Sequence, residues 1–227
     1  GGPPQGRRSD LEGPALERLL RNHGLPGPRS AHAPTAESAG LRAAELGFPV
    51  ALKIVSPQAV HKTEIGGVAL GLTGASTVTN EAAAMLARLR TQVPGAVVTG
   101  FLIQQMVGGL EVILGAREDP QYGPCLVVGL GGIHVEALRD ISVRLLPVAA
   151  DEAREMLAEL RGAALFGPFR GRPAGDVDAL AAAIEGFSRL YLDHRPFLSD
   201  LEINPLIVLA KGEGVRAVDV RPIFRAG

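Results

Sequence analysis

The sequence predicts an α+β protein whose sheets are largely antiparallel. Short apolar runs alternate with stretches of helical periodicity along the chain. Two consecutive strand pairs, about 97–106 with 111–116 and 201–209 with 215–220, are joined too briefly for parallel crossovers. The core must be aliphatic, because hydrophobic residues make up 46% of the chain while tryptophan is absent and tyrosine occurs twice. Strands and helices in that mixture favour packed α+β layers over a simple doubly wound sheet.

Residues 1–8, rich in Gly, Pro and Arg, are expected to be disordered. Ser9 or Asp10 can cap a helix carrying Leu11, Ala15, Leu16, Leu19 and Leu20 and ending at Gly24. A short strand is expected near Arg29–Ala33, and Thr35 can cap a helix that stops at Gly47. PVALKIV (49–55) reads as a buried strand, 68–72 as another, and 77–90 as a helix. Gly108 and Gly109 are expected to turn a hairpin between the strands 97–106 and 111–116. A turn at 119–123 leads to the apolar strand 125–130, and 142–148 looks extended. Helices are expected at 151–160 and 176–192, the second capped by Asp176, before a closing hairpin around 211–214.

Composition excludes several classes. A net charge of −1 gives no bulk attraction to nucleic acid or to anionic membranes. The single cysteine, Cys125, lies in an apolar run and fits a buried inert thiol. The polar start and the lack of an apolar run of roughly 18 residues argue against a signal peptide or a membrane span. A cytoplasmic enzyme or binding protein is the expectation.

Three clusters carry chemistry. Lys53 sits in an apolar strand, where an ammonium is expensive to bury unless it meets an anion. It is followed by HKTEIGGV (61–68), whose Gly66 and Gly67 allow backbone N–H groups to approach phosphate oxygens. Taken alone, that segment also fits a lysine snorkelling from a strand end and glycines turning a hairpin. The second cluster, Gly129-Leu130-Gly131-Gly132, matches no established phosphate loop; Glu136, Asp140 and Arg144 follow it as a possible acid or base and a guanidinium. The third is Glu202-Ile203-Asn204-Pro205-Leu206, with Asp219 fifteen residues beyond Asn204 on an adjacent expected strand. Glu202 and Asn204 share a face by strand alternation. Oxygen ligands from Asn204 and Asp219 suit magnesium, which takes few protein ligands and completes its shell with phosphates and water.

In order along the chain, ALKIVSP, HKTEIGGV, GLGG, DISVRLLP, LEINPL and VD resemble the β subunit, or ATP-grasp portion, of ADP-forming acyl-CoA synthetases. Succinyl-CoA synthetase β chains are more distant relatives sharing EINPL. The resemblance runs from about Leu11 to Ile223. It implies an ATP-grasp fold of two lobes, 9–105 and 106–227, with ATP or ADP and Mg2+ bound between them. Position by position, Lys53 resembles the lysine that holds nucleotide phosphates, and Gly66 and Gly67 the glycine loop that covers them. Gln104, Gln105, Met106 and Val107 match the hinge whose backbone recognises adenine; Glu111 resembles the acid that binds ribose. Asn204 and Asp219 match the magnesium ligands, Glu202 lies beside the phosphoryl-transfer site, and Arg144 resembles a phosphate-stabilising arginine.

His61 resembles a second phosphate carrier. In the family, phosphate passes from acyl phosphate to a histidine on a CoA-binding α partner and then to ADP. Neutral imidazole is a competent nucleophile for such a relay. No CoA-binding region is visible in this chain, so the resemblance implies a hetero-oligomer with a CoA-binding α subunit or fused CoA-binding domains. Acyl-CoA and phosphate would enter through that partner, and the acyl group is not encoded here. The rival readings are a nucleotide- or acyl-CoA-sensing regulatory domain associated with an acetyltransferase, and an ATP-grasp carboxylate ligase that releases free acyl phosphate.

Overall fold

The computed structural model describes residues 6–56, 66–132, 140–168 and 171–225. A short 3-10 turn, Arg8–Leu11, precedes α1 (Gly13–Asn22). Then come β1 (Ser30–Ala33), α2 (Ala36–Leu46), β2 (Val50–Val55), β3 (Val68–Leu72), α3 (Ala75–Gln92) and β4 (Gly100–Gln105). The second half contains β5 (Leu110–Asp119), β6 (Gly123–Leu130), β7 (Ile141–Leu145) and α4 (Ala150–Glu159). A 3-10 turn at Ala163–Phe166, α5 (Val177–His194), β8 (Leu198–Val208), β9 (Val215–Ala217) and β10 (Val220–Phe224) complete it. The strand pairings among the described residues are antiparallel, as the short connections require.

The chain divides into two compact units, Pro28–Val107 and Gly1–Gly27 with Gly108–Gly227. In the first, the sheet runs β1-β4-β2-β3. Alternation sends Val50, Leu52 and Ile54 of β2, and Phe101 and Ile103 of β4, into one core. Helix α3 meets them with Val78, Ala82, Met85 and Leu89, spaced four, three and four apart as one helical stripe demands. Helix α2 adds Ala39, Ala43 and Leu46. Its N-terminus is capped as expected, the Thr35 hydroxyl accepting the Ser38 N–H at 3.2 Å.

In the second unit the sheet runs β10-β8-β5-β6-β7, and β9 also pairs with β8. One face carries Val112, Leu114, Leu126, Val128, Leu201 and Ile203 into a core closed by α4 and α5. Asp176 caps α5, its carboxylate accepting the Ala179 N–H at 3.2 Å. No helix among the described residues is long and apolar enough to cross a membrane.

Three expectations about organisation are corrected. The segment 9–27 does not belong with 28–105: Leu11, Leu20 and Leu25, each nearly inaccessible, pack into the core of the second unit. Helix α1 starts at Gly13, and Asp10 accepts the Arg7 N–H within the preceding turn rather than capping α1. Within the stretch expected to be disordered, residues 6–8 are placed: the Gly6 N–H donates to the Asp193 carbonyl at 3.1 Å, and the Arg8 guanidinium lies over the Phe224 ring at 4.4 Å.

The strands around Gly108-Gly109 form no hairpin. Strand β4 is paired on both edges, by β1 and β2, and β5 likewise by β8 and β6, so neither has an edge for the other. The glycine pair therefore connects the two units. If α1 belongs to the second core, Leu20→Ala should lower the free energy of unfolding by about 2–5 kcal/mol. Chemical denaturation measures this, and a negligible change would detach α1 from that core.

Candidate functional site

In the unit Pro28–Val107, period-2 alternation puts Lys53 and Gln104 on the sheet face opposite the α2–α3 core. The Lys53 Nζ donates to Gln104 Oε1 at 3.1 Å, and both side chains are half-buried. That bond joins two residues that sequence reasoning assigned to different tasks. Beside Lys53 in the ladder lies Val68, and the Gly67 carbonyl accepts the Ile54 N–H at 2.9 Å, extending the β2–β3 pairing to the glycines. Gly66 adopts φ 64°, a backbone conformation that favours glycine.

The hinge residues are more committed than expected. The Gln105 N–H donates to the Arg29 carbonyl at 2.8 Å, and the Met106 N–H to the Pro49 carbonyl at 3.0 Å. Those two donors are spent within the unit. The Met106 thioether accepts the Gly71 N–H at 3.0 Å. His61 lies outside the described residues, as does Glu136.

In the second unit, β8 carries an extra residue relative to β5. Ile203 faces Leu114 and Leu206 faces Val112, so Asn204 and Pro205 together stand opposite Ile113. The bulge leaves Ile203 and Leu206 in the core while freeing Asn204 to stay exposed. The Asn204 N–H donates to the Asp219 carbonyl at 3.0 Å, and the Asn204 Nδ2 to Glu202 Oε1 at 3.3 Å. Glu202 and Asn204 thus meet through their side chains, while Asp219, between β9 and β10 and not on a strand as expected, meets Asn204 through its backbone. Across from Glu202 on β10 stands Arg221, a nearby cation that the sequence did not single out.

Asn204 is an exposed amide whose backbone lies against that of Asp219, an exposed carboxylate. Among the described residues no group of three His, Cys, Asp or Glu is gathered to hold a metal. A two-ligand set containing an asparagine fits magnesium, whose remaining positions are filled by phosphate and water.

Arg144 is not part of this group. It pairs in register with Leu126, a core residue, and therefore lies on the helix-covered face, whereas Glu202 alternates to the other. Its Nη2 meets Glu159 Oε1 at 2.5 Å, its Nε meets Glu152 Oε1 at 3.6 Å, and its Nη1 donates to the Val143 carbonyl. The hydrogen bond with Glu159, more than the neighbouring acidic charges, raises the Arg144 pKa and lowers that of Glu159. Arg144 thus ties β7 to α4, and the phosphate-stabilising role expected of it is not supported by its placement.

Asp140, a possible acid or base in the sequence, is buried and accepts the Arg161 and Gly162 N–H groups at 2.8 and 2.7 Å. It anchors the turn after α4. The neighbouring glycine run has a structural cause as well. The Gly131 N–H donates to the Glu111 carbonyl at 2.7 Å, and a Cβ on Gly131 would come within 2.9 Å of the Glu111 Cβ. A Cβ on Gly132 would sit 2.9 Å from Glu111 Oε2. The glycines let the end of β6 pass over Glu111, whose side chain is exposed.

The loop that delivers β9 and Asp219 is held by Asp176. Its Oδ2 accepts the Gly212 and Gly214 N–H groups, both at 2.9 Å. Burial alone would raise this carboxyl, but the N–H groups of Gly214, Ala179 and Gly212, with the Lys211 charge, outweigh it and hold the pKa below its ordinary value of 3.8. Stability from Asp176 is present above that ordinary value and is lost as the pH falls through the lower folded value. Asp176→Asn should cost about 1–3 kcal/mol at neutral pH, because an amide cannot receive all three donors. Urea midpoints for the two proteins should converge as the pH drops below 3.8, whereas a constant gap would remove the titration from the account.

The sequence profile of the ATP-grasp domain family matches residues 4–223. The β subunit of acetate–CoA ligase [ADP-forming] II from Pyrococcus furiosus is 35% identical over 97% of this chain and 94% of its own length. The 4-hydroxybutyrate–CoA ligase [ADP-forming] of Nitrosopumilus maritimus is 36% identical over 90% of this chain, which spans 29% of that longer protein. Among solved structures, the dinucleotide-forming acetyl-coenzyme A synthetase 1 of Ca. Korarchaeum cryptofilum, in complex with coenzyme A and Ca-AMPCP, superposes with a TM-score of 0.80 at 34% identity. The match covers 92% of this chain and 90% of that one. Fold, motif order and kinship agree: the chain belongs to the ATP-grasp family, in the branch that contains the β subunits of ADP-forming acetate–CoA ligases.

Proposed function

We propose that this chain is the nucleotide-binding component of an ADP-forming acyl-CoA ligase, acting with a CoA-binding partner. The observation that carries the proposal is the meeting of Glu202, Asn204 and Asp219 at the β8 bulge, an oxygen-rich corner suited to magnesium and a nucleotide's phosphates. Kinship with ligase β subunits supports it. The relatives described above are ligases, so neither the regulatory-sensor nor the free-acyl-phosphate reading gains support.

In this reading Lys53, oriented by Gln104, neutralises phosphate charge, and the backbone at Gly66 and Gly67 approaches the phosphate oxygens. Glu111 accepts hydrogen bonds from the ribose hydroxyls. With the Gln105 and Met106 N–H groups already used, adenine recognition falls to the remaining backbone groups of 104–107. Asn204 and Asp219 would hold magnesium, which supplies charge neutralisation at the phosphates when bound. Glu202 accepts the Asn204 amide N–H, which leaves the amide oxygen as the atom that would hold the cation.

The reaction runs from acyl-CoA and phosphate to acyl phosphate and CoA on the partner. Phosphoryl transfer to a partner histidine releases the acid, and His61 then accepts the phosphoryl group and passes it to ADP, forming ATP and restoring neutral imidazole. Positioning and electrostatics account for most of such catalysis.

Calorimetric titration of the chain with ADP, with and without magnesium, tests the nucleotide site. Binding should strengthen with the metal, and Asn204→Ala or Asp219→Ala should abolish most of that gain. A magnesium response unchanged in both variants would sink the assignment. For His61, labelled phosphate should appear on the chain as an acid-labile, alkali-stable adduct in the presence of the partner. It should be lost in His61→Ala; unchanged labelling and turnover would remove His61 from the relay.

A further inference from the structure

The corner at Gly66 is tied down by a side chain to which neither the motifs nor the proposed reaction assigns a role. Arg88, on α3, donates from Nη2 to the Gly66 carbonyl at 2.9 Å. The same nitrogen meets Glu81 Oε1 at 2.6 Å, one turn-pair earlier on α3. The guanidinium lies flush on the glycine: a Cβ on Gly66 would come within 3.1 Å of Arg88 Nε. Gly66 therefore meets two demands, a left-handed φ of 64° and room for Arg88.

The Arg88 Nε is buried and makes no hydrogen bond among the described residues. A buried donor left unpaired is unfavourable, and such groups are rare in folded proteins. Arg88 is held there nonetheless, because its Nη2 is bound by both Glu81 and the Gly66 carbonyl. One residue on, the Gly67 carbonyl is bound by the Ile54 N–H, adjacent to Lys53. The two glycines are thus secured from two sides, by the β2 backbone and by the α3 side chain.

We propose that Arg88, oriented by Glu81, is a positioning residue that sets the Gly66–Gly67 backbone for nucleotide phosphates. This rests on the nucleotide-binding reading above. Arg88 touches the glycine backbone and not the nucleotide, so its loss should weaken recognition of the phosphate chain and leave that of the nucleoside end intact. A merely structural role would weaken both together.

The test compares ADP and AMP binding to the whole chain, with magnesium, for the unaltered protein and for Arg88→Met, Arg88→Lys and Glu81→Gln. Arg88→Met should lose about tenfold in ADP affinity, the size expected for one hydrogen bond to a charged group, with AMP affinity changed less than twofold. Arg88→Lys should recover part of the ADP affinity, because an ammonium can still reach the carbonyl, and Glu81→Gln should fall between the unaltered protein and Arg88→Met. Equal losses for ADP and AMP, or no loss for ADP in any variant, would overturn the proposal. Thermal melting identifies a variant that fails to fold, and Glu81→Gln, which keeps the guanidinium, then carries the comparison. Failure of the unaltered chain to bind ADP would defeat the nucleotide reading itself and this inference with it.

Discussion

Strand β8 pairs with β5 along one edge and with both β9 and β10 along the other, so the second unit is assembled around it. A regular strand in that position would have to alternate strictly, and Asn204 would then fix the facing of every later residue. The bulge at Asn204–Pro205 relaxes this constraint. It keeps Ile203 and Leu206 both in the core, and sets Asn204 where its backbone can hold Asp219. The oxygen-rich corner and the core below it are consequences of one inserted residue.

Around that corner, charge is distributed by facing. Glu202, half-buried, faces the open side of the sheet, while Arg144, three strands away in the same sheet, turns to the covered side and is neutralised by Glu159 and Glu152. Asp140 and Asp176 are buried but make several hydrogen bonds to backbone N–H groups, which replaces the water they lose. These carboxylates maintain loop shape through backbone donors.

What could be read from the sequence follows the range of the forces involved. Thr35 and Asp176 were legible as caps because a cap needs only residues three positions away. EINPL and the distant Asp219 were legible because strand alternation and a short hairpin constrain them. The facing of Arg144 was not, since one residue of register decides it and no local pattern marks the choice. The glycine run 129–132 matched no phosphate loop, and the tight contacts of Gly131 and Gly132 are with Glu111, a residue about twenty positions earlier. Segment 9–27 has ordinary helical periodicity, and nothing in that periodicity tells which of two cores its leucines enter. The clamp of Arg88 on Gly66 was equally silent, being a contact between a helix and a turn 22 residues apart.

The placement of Leu11, Leu20 and Leu25 has a consequence for biogenesis. The unit 28–107 is an insertion: all of its contacts can close once its own eighty residues have left the ribosome. The other unit cannot, because its α1 is made before the inserted unit and its β8 well after it. The apolar face of α1 must wait until β5 to β8 have been made before its partners exist, so the assembly of that core is a closure over long sequence separation, the slow kind. The inserted unit, complete before the one that surrounds it, is the natural early product of folding, and α1 is the element most in need of shelter until the strands of its own core exist.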